Sequence, residues 1–282
     1  MKKLMVKMLC FFVIACAIFC GFSFQTQQTQ AQEVVRNVPI LMYHHVRENK
    51  KGNYDVTPQM FQQDIDYLKK HGFQPIFISQ LIDFCEGKGD LPDKPVVLSF
   101  DDGHYNNMKY AFPILKKEKF KANLNVIGCF CEHSTSSGDI DNPANSYLTW
   151  SEIKSLHDSG IFEIGNHTYK MHTFSPRFGI AKLKNESVAE YKKALSADVM
   201  KLEKVLKEKC GLSTQVFAYP FGEYNADAEK ILKQLGFKAF LTCNEGCNKA
   251  IKGDCKVLST LKRINRTGLL NTREFFEKHN IS

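Results

Sequence analysis

The chain has 282 residues, 43% of them hydrophobic and 24% charged, with a formal charge of +8. Those proportions suit one globular domain with a core of its own. The basic residues form no cluster interleaved with aromatics, so nucleic acid is not expected as a partner.

At the N-terminus, Lys2, Lys3 and Lys7 precede an apolar run from Met8 to Phe24, followed by a polar stretch from Gln25 to Gln32 with Ala31 near its end. This is the layout of a secretory signal peptide, with cleavage expected near Ala31; a retained membrane anchor is the alternative. A lipoprotein reading through Cys20 is weaker, because bulky Phe19 precedes it. Residues 1–31 are therefore read as export signal or anchor and 32–282 as a single domain, expected to be a monomer, with no internal repeat. Losing Lys2, Lys3 and Lys7 would reduce the charge from +8 to +5, a mildly basic surface suited to approaching anionic envelope polymers. Cys85, Cys129, Cys131, Cys210, Cys243, Cys247 and Cys255 lie in the body of the chain; their spacing is not that of paired C-x-x-C knuckles and points to structural cysteines or free thiols.

From Val38 onward, short β-branched or aromatic runs alternate with amphipathic stretches, the pattern of an α/β domain with a parallel inner sheet. Strands are predicted at 38–43, 95–100, 122–127, 161–165, 215–219, 237–242 and 257–264. Thr57 and Pro58 open a helix that runs to Lys70, with Gly72 just beyond it. Thr149 with Glu152, and Ser187 with Glu190, read as capping boxes, the second opening the longest helix, to about Lys209 before Gly211. Asn225 caps another helix, which stops before Gly236. Segments 128–148 and 173–186 read as loops near the mouth of the site. About seven strands, each followed by a helix or long loop, predict a distorted (β/α) barrel with reactive groups at the C-terminal strand ends.

Three strand ends carry such groups. The buried run Val96-Val97-Leu98-Ser99-Phe100 leads into Asp101-Asp102-Gly103, and two adjacent carboxylates in an apolar setting call for a metal, a cation or a proton. Alone, Asp-Asp-Gly would read as an ordinary turn. The strand ending near Gly165 leads to His167 and His172, which can converge with one carboxylate to give a two-His-one-carboxylate set that leaves metal positions open. His71, His104, His133, His157 and His279 read as packed or surface groups. After Phe217-Ala218-Tyr219, Pro220 and Gly222 force a turn that can aim backbone N–H groups at a reacting oxygen.

These residues resemble the polysaccharide deacetylases of carbohydrate esterase family 4, the NodB-homology family. Ser99-Phe100-Asp101-Asp102-Gly103 matches its T-F-D-D-G motif and His167-Thr168-Tyr169-Lys170-Met171-His172 its H-[ST]-x-x-x-H motif, in order and spacing, and the resemblance covers most of 38–266. It implies one divalent metal ion, usually zinc, on Asp102, His167 and His172, with Asp101 as general base and the Phe221 N–H as oxyanion donor. The implied activity is removal of N-acetyl groups from an envelope or extracellular polysaccharide: peptidoglycan, poly-N-acetylglucosamine or a chitin-like polymer. An O-acetyl xylan-type esterase and an inactive carbohydrate-binding relative are the alternatives.

Two departures stand out. The family's R-x-P-[YF] motif is here Ala218-Tyr219-Pro220-Phe221, so the arginine that orients the base is missing; Arg263 and Arg266 are candidates to replace it, and Tyr219 is a further candidate for orienting the base or contacting substrate. The C-terminal L-x-H motif that supplies the general acid is also absent. Tyr43-His44-His45 after the first strand resembles the branch that includes the poly-β-1,6-N-acetylglucosamine deacetylases, which implies His44 as the acid, with His45 behind it. Strand alternation would let only one of the two face inward.

Overall fold

The computed structural model describes residues 33–48, 51–138 and 142–282; the expected signal peptide or anchor lies outside them. Val34 to Ser282 form one compact unit. None of its helices is long and apolar enough to cross a membrane.

The strands are β1 (Val35–Val38), β2 (Ile40–Tyr43), β3 (His45–Val46), β4 (Asp55–Val56), β5 (Gln74–Pro75), β6 (Pro95–Phe100), β7 (Ala122–Val126), β8 (Phe162–Asn166), β9 (Val216–Ala218), β10 (Ala239–Leu241), β11 (Asn248–Ile251) and β12 (Ile264–Asn265). The helices are α1 (Pro58–Lys70), α2 (Ile78–Cys85), α3 (Phe112–Glu118), α4 (Gly128–Ser137), α5 (Trp150–Asp158), α6 (Val188–Cys210), α7 (Ala226–Gln234) and α8 (Thr272–Lys278). The central sheet runs β10-β9-β8-β7-β6-β2-β12 with every neighbour parallel. Its two edges meet through one segment: Leu261 bridges Leu241 while Ile264 pairs with Leu41. The sheet thus curls into the distorted (β/α) barrel that the strand pattern predicts.

Alternation along the strands sorts the side chains. Leu98 and Phe100 point outward, into a core shared with α1, α5 and the C-terminal part of α6. Val97 points inward to Ile40, Val216, Ala218, Ala239 and Leu241. Above this apolar floor the inward positions turn polar: Ser99 and Asp101 after Val97, and Asn123 and Asn125 on β7, all buried. The barrel is therefore oily at one end and hydrogen-bonding at the other.

The capping predictions match the structure, with Thr57, Thr149, Ser187 and Asn225 each capping its helix. Two segments differ. Instead of a strand over 257–264 there is a 3-10 turn, Lys256–Thr260, then the single bridge at Leu261 and the short strand Ile264–Asn265, because Val257, Leu258 and Leu261 lack period-two spacing. The loop predicted over 128–148 begins with α4, whose buried residues are Gly128, Cys131 and Ser134; a face of such small residues leaves no apolar period to read. All seven cysteines of the described body are free, three of them buried.

Candidate active site

The strand ends converge on one rim. Asp101 N–H donates to Tyr43 O, His167 N–H to Val126 O, Tyr219 N–H to Leu241 O and Arg266 N–H to Met42 O, at 2.8–3.1 Å. Within that rim lies a cleft of about 530 Å³ lined by His44, His45, Tyr54, Asp101, Asp102, His167, His172, Phe174 and Phe221, among others. Left-handed backbone marks its corners, with φ of +74° at Asp102, +71° at Thr168 and +57° at Phe221. Such costly conformations persist where the surrounding structure over-determines them, and they gather at functional sites.

Asp102 stands between two imidazoles. Its Oδ1 lies 3.5 Å from His167 Nε2 and 3.6 Å from His172 Nε2, and this buried oxygen has no hydrogen-bond partner among the described residues. Atoms sharing one tetrahedral ion at ~2.0–2.2 Å stand about 3.3–3.6 Å apart, so the spacing suits a shared cation better than a hydrogen bond. His167 Nδ1–H donates to Ala218 O at 2.8 Å, which leaves Nε2 with its lone pair directed at Asp102. Burial and the neighbouring His167 push His172 down to about 4, favouring the neutral imidazole that a metal ion needs. Burial alone would lower His167 too, but Asp102 and Asp101 carry it upward. The one carboxylate and two imidazoles can hold a metal ion, their ligand atoms lying within 4.8 Å of one another.

Asp101, next in line, is buried and takes Arg263 Nη1 at 2.8 Å and Asn125 Nδ2 at 2.7 Å on the same oxygen, Oδ1. Burial would raise its pKa, but the charges of Arg263 and His167 outweigh burial and hold it at about 2, so it is a carboxylate at neutral pH. Arg263 is itself anchored by Thr242 O and Ser99 Oγ. Asn123 in turn donates to Asn125 Oδ1 at 2.9 Å. Gly165 makes room for this chain of bonds, since a Cβ there would sit 2.2 Å from Asn125 Oδ1.

Of the two arginine candidates, only Arg263 reaches Asp101. Arg266 corrects the expectation: its guanidinium pairs with buried Asp64 at 2.8 and 3.0 Å, on the side of the barrel toward α1 and α8. Tyr219 borders the cleft, but its ring packs against Phe217, Tyr224 and Phe240 in the core under α6 and α7, and its hydroxyl has no partner among the described residues. Both His44 and His45 line the cleft, contrary to the alternation argument, because β2 ends at Tyr43 and the period-two rule ends with it. His44 packs against Tyr54 and has a buried, unpartnered Nδ1; burial lowers its pKa, with Asp101 and Asp102 pulling the other way. His45 bonds Asn106 at 3.0 Å and stacks on His104, 3.7 Å between ring centres.

His104 and Asn125 are the residues that sequence reasoning passed over. Rather than a bland packed or surface group, His104 places Nε2 3.2 Å from Asp102 Oδ2, its ring held between His45 and Tyr147. Asn123 and Asn125, two apart within an otherwise apolar strand, were a visible signal, because buried carboxamides on one strand face need partners.

A family model described as polysaccharide deacetylase matches residues 88–240, more than half of the chain. The chain belongs to the polysaccharide deacetylase family. Among relatives, the poly-β-1,6-N-acetyl-D-glucosamine N-deacetylase of Escherichia coli (strain K12) is 26% identical over 234 residues, covering 76% of this chain and 35% of the relative. The protein of the same name from Staphylococcus aureus (strain MRSA252) is 30% identical over 187 residues, covering 66% of this chain and 60% of the relative. The chain thus spans about a third and three fifths of the lengths of these relatives. Among solved structures, IcaB from Ammonifex degensii superposes with a TM-score of 0.69 at 27% identity, covering 82% of this deacetylase-family chain and 92% of that one. The Streptococcus pyogenes deacetylase PplD, also at 0.69 but 23% identical, covers 87% and 99% and shares the fold. Residues 88–240 include the Asp-Asp and His-x-x-x-x-His pieces; His44 and Arg263 lie outside that stretch and reach the site through the fold.

Proposed function

We propose that this protein is a metal-dependent deacetylase that hydrolyses the N-acetyl group of N-acetylglucosamine units in an extracellular or envelope polysaccharide, with poly-β-1,6-N-acetylglucosamine as the first substrate to test. The observation that carries the reading is the placement of Asp102, His167 and His172 as a three-donor set directly beside Asp101, a buried carboxylate kept ionised by Arg263. The curated relatives whose names specify N-deacetylation support the substrate class.

Asp102, His167 and His172 would hold the ion, and one carboxylate with two imidazoles suits zinc. When bound there, a divalent ion supplies a Lewis acid and makes water acidic enough to lose a proton near neutral pH. The chain's own groups do the rest. Asp101 accepts the proton of the attacking water, whose oxygen joins the acetyl carbonyl carbon. The Phe221 N–H, offered by the left-handed turn after β9, donates to the carbonyl oxygen as it gains charge. His44 gives a proton to the sugar nitrogen as the C–N bond breaks, so that acetate and a free amine leave. Arg263 and Asn125 position Asp101 through Oδ1, and His45 stands behind His44 on the same cleft wall.

An exported or envelope-associated protein follows from the lysine-flanked apolar run Met8 to Phe24, acting as signal peptide or anchor. The direct test is acetate release by residues 32–282 from β-1,6-linked N-acetylglucosamine oligomers, chito-oligomers and acetylated xylan, with and without a chelator and with zinc restored. Chelator-sensitive release from an N-acetylated glycan supports the reading. Release from acetylated xylan alone would move the protein to the O-acetyl esterases.

A further inference from the structure

Two of the exposed large apolar side chains line the cleft, Tyr54 at 55% exposure and Phe174 at 76%, and a third, Phe178 at 44%, packs on the cleft residue Phe221. Phe174 and Phe178 both pack on Phe221, with ring centres 4.6 and 4.8 Å away and planes 24° and 23° from parallel. Phe221 in turn packs 4.2 Å from the His172 ring. Phe174 and Phe178 lie side by side, 6.0 Å apart, so a cluster of aromatic rings runs from a metal-ligand candidate out to solvent. Leaving Phe174 wet forfeits burial that the fold could otherwise use. Contiguous exposed apolar surface of this kind marks a binding site.

The loop that presents these rings is braced. Arg177 pairs with Glu186 through two hydrogen bonds of 2.7 and 2.8 Å and also donates to Ala181 O. Gly179 N–H returns to Thr173 O at 2.9 Å. Gly179 has φ +54°, and a Cβ there would lie 2.8 Å from Pro220 O, so glycine is what lets the loop close onto the Phe221 turn. The rings are pre-positioned, and little ordering entropy remains to be lost on binding.

We propose that the Phe174, Phe178 and Phe221 cluster is a sugar-binding platform that takes the apolar C–H face of a pyranose ring next to the unit being deacetylated. This rests on the deacetylase reading for the identity of the polymer, while the site itself stands on the exposed aromatic cluster. Its continuity with the cleft, of which Phe174 and Phe221 are walls, favours a glycan over any other occupant. Aromatic faces carry negative potential and sugar C–H edges carry positive, so the two pack face to face without needing hydrogen bonds. Tyr54, over His44 on another part of the rim, offers a second aromatic contact to the same chain.

The test separates binding from turnover. Titration of β-1,6-linked N-acetylglucosamine oligomers into the Asp101→Asn chain, followed by calorimetry, reads the platform without hydrolysis. Phe174→Ala and Phe178→Ala should each weaken binding about five- to ten-fold, and Phe174→Tyr should restore it. Leu183→Ala, an exposed apolar residue on the same loop outside the cleft, serves as the control and should bind as before. In chains with Asp101 intact, KM for the oligomer should rise while kcat changes less. Unchanged oligomer affinity in both alanine variants overturns the platform, as does a loss confined to binding of anionic or neutral lipid vesicles. Weaker binding in Phe174→Ala together with no acetate release by the unaltered chain would keep the platform and remove the hydrolytic reading.

Discussion

Arg263 Nη1 donates to Asp101 Oδ1 across 2.8 Å and 162 residues of sequence, with both side chains almost wholly buried. The position where the family places an arginine is Ala218 here, and the guanidinium arrives instead from the segment that joins the sheet edges. Removing it would leave a buried carboxylate with only the Asn125 amide. Arg263→Met should lower kcat for acetate release at least 10²-fold and cost about 3–5 kcal/mol of stability, read by a denaturant midpoint. Activity within two-fold of the unaltered protein would mean that Asp101 needs no cation beside it.

Arg266 provides the contrast. It pairs with Asp64, which also accepts from Tyr43 and Thr272, in a fully buried network outside the cleft. Arg266→Met should therefore destabilise by a similar ~3–5 kcal/mol, while the folded fraction keeps its turnover. A selective loss of kcat with unchanged melting temperature would contradict that separation.

Asp101→Asn keeps the shape and the Asn125 contact but removes the proton acceptor. Acetate release should fall by about 10²–10⁴-fold, with metal content by elemental analysis near that of the unaltered chain. Full activity in this variant would remove the base assignment.

His167→Ala and His172→Ala each delete one of three donors. A bound ion stabilises the folded state by mass action, about 2.7 kcal/mol at a hundred times its Kd. Added zinc should accordingly raise the melting temperature of the unaltered chain and leave that of either variant unmoved. Stoichiometric zinc in His167→Ala would refute the ligand set.

His104 touches Asp102 from the side opposite the imidazole pair. Partners that orient a ligand carboxylate typically contribute 10–100-fold in metal affinity. His104→Ala should weaken zinc binding by about that factor in competition with a chromogenic chelator, and His104→Gln, which retains a donor, should recover part of it. Equal affinity in all three would make His104 a packing residue.

Much of this was legible in the chain itself. The alternation of short apolar runs with amphipathic segments set the barrel, and the order Asp101-Asp102, then His167 and His172, each after a strand, set the donor set, because period-two burial and strand-end placement are local properties. Capping residues such as Thr57 and Ser187 fixed helix starts for the same reason. Strand 257–264 failed on local grounds too, since Val257, Leu258 and Leu261 carry no alternation, and α4 was hidden by its small buried face.

What only the tertiary structure decided are relations between distant segments. Arg263 and Arg266 are three apart in one short stretch, yet one reaches Asp101 and the other Asp64, depending on which side of the closing segment each faces. His44 and His45 share the cleft because β2 stops at Tyr43, so alternation does not extend to the two histidines that follow it. Asn125 joined the site through its bond to Asp101 from the neighbouring strand, and His104, two residues from Asp102, is turned toward it by packing between His45 and Tyr147. A sequence encodes which residues will be buried and roughly where each strand ends; the partner that satisfies a buried charge depends on how the sheet closes, and that is a property of the whole barrel.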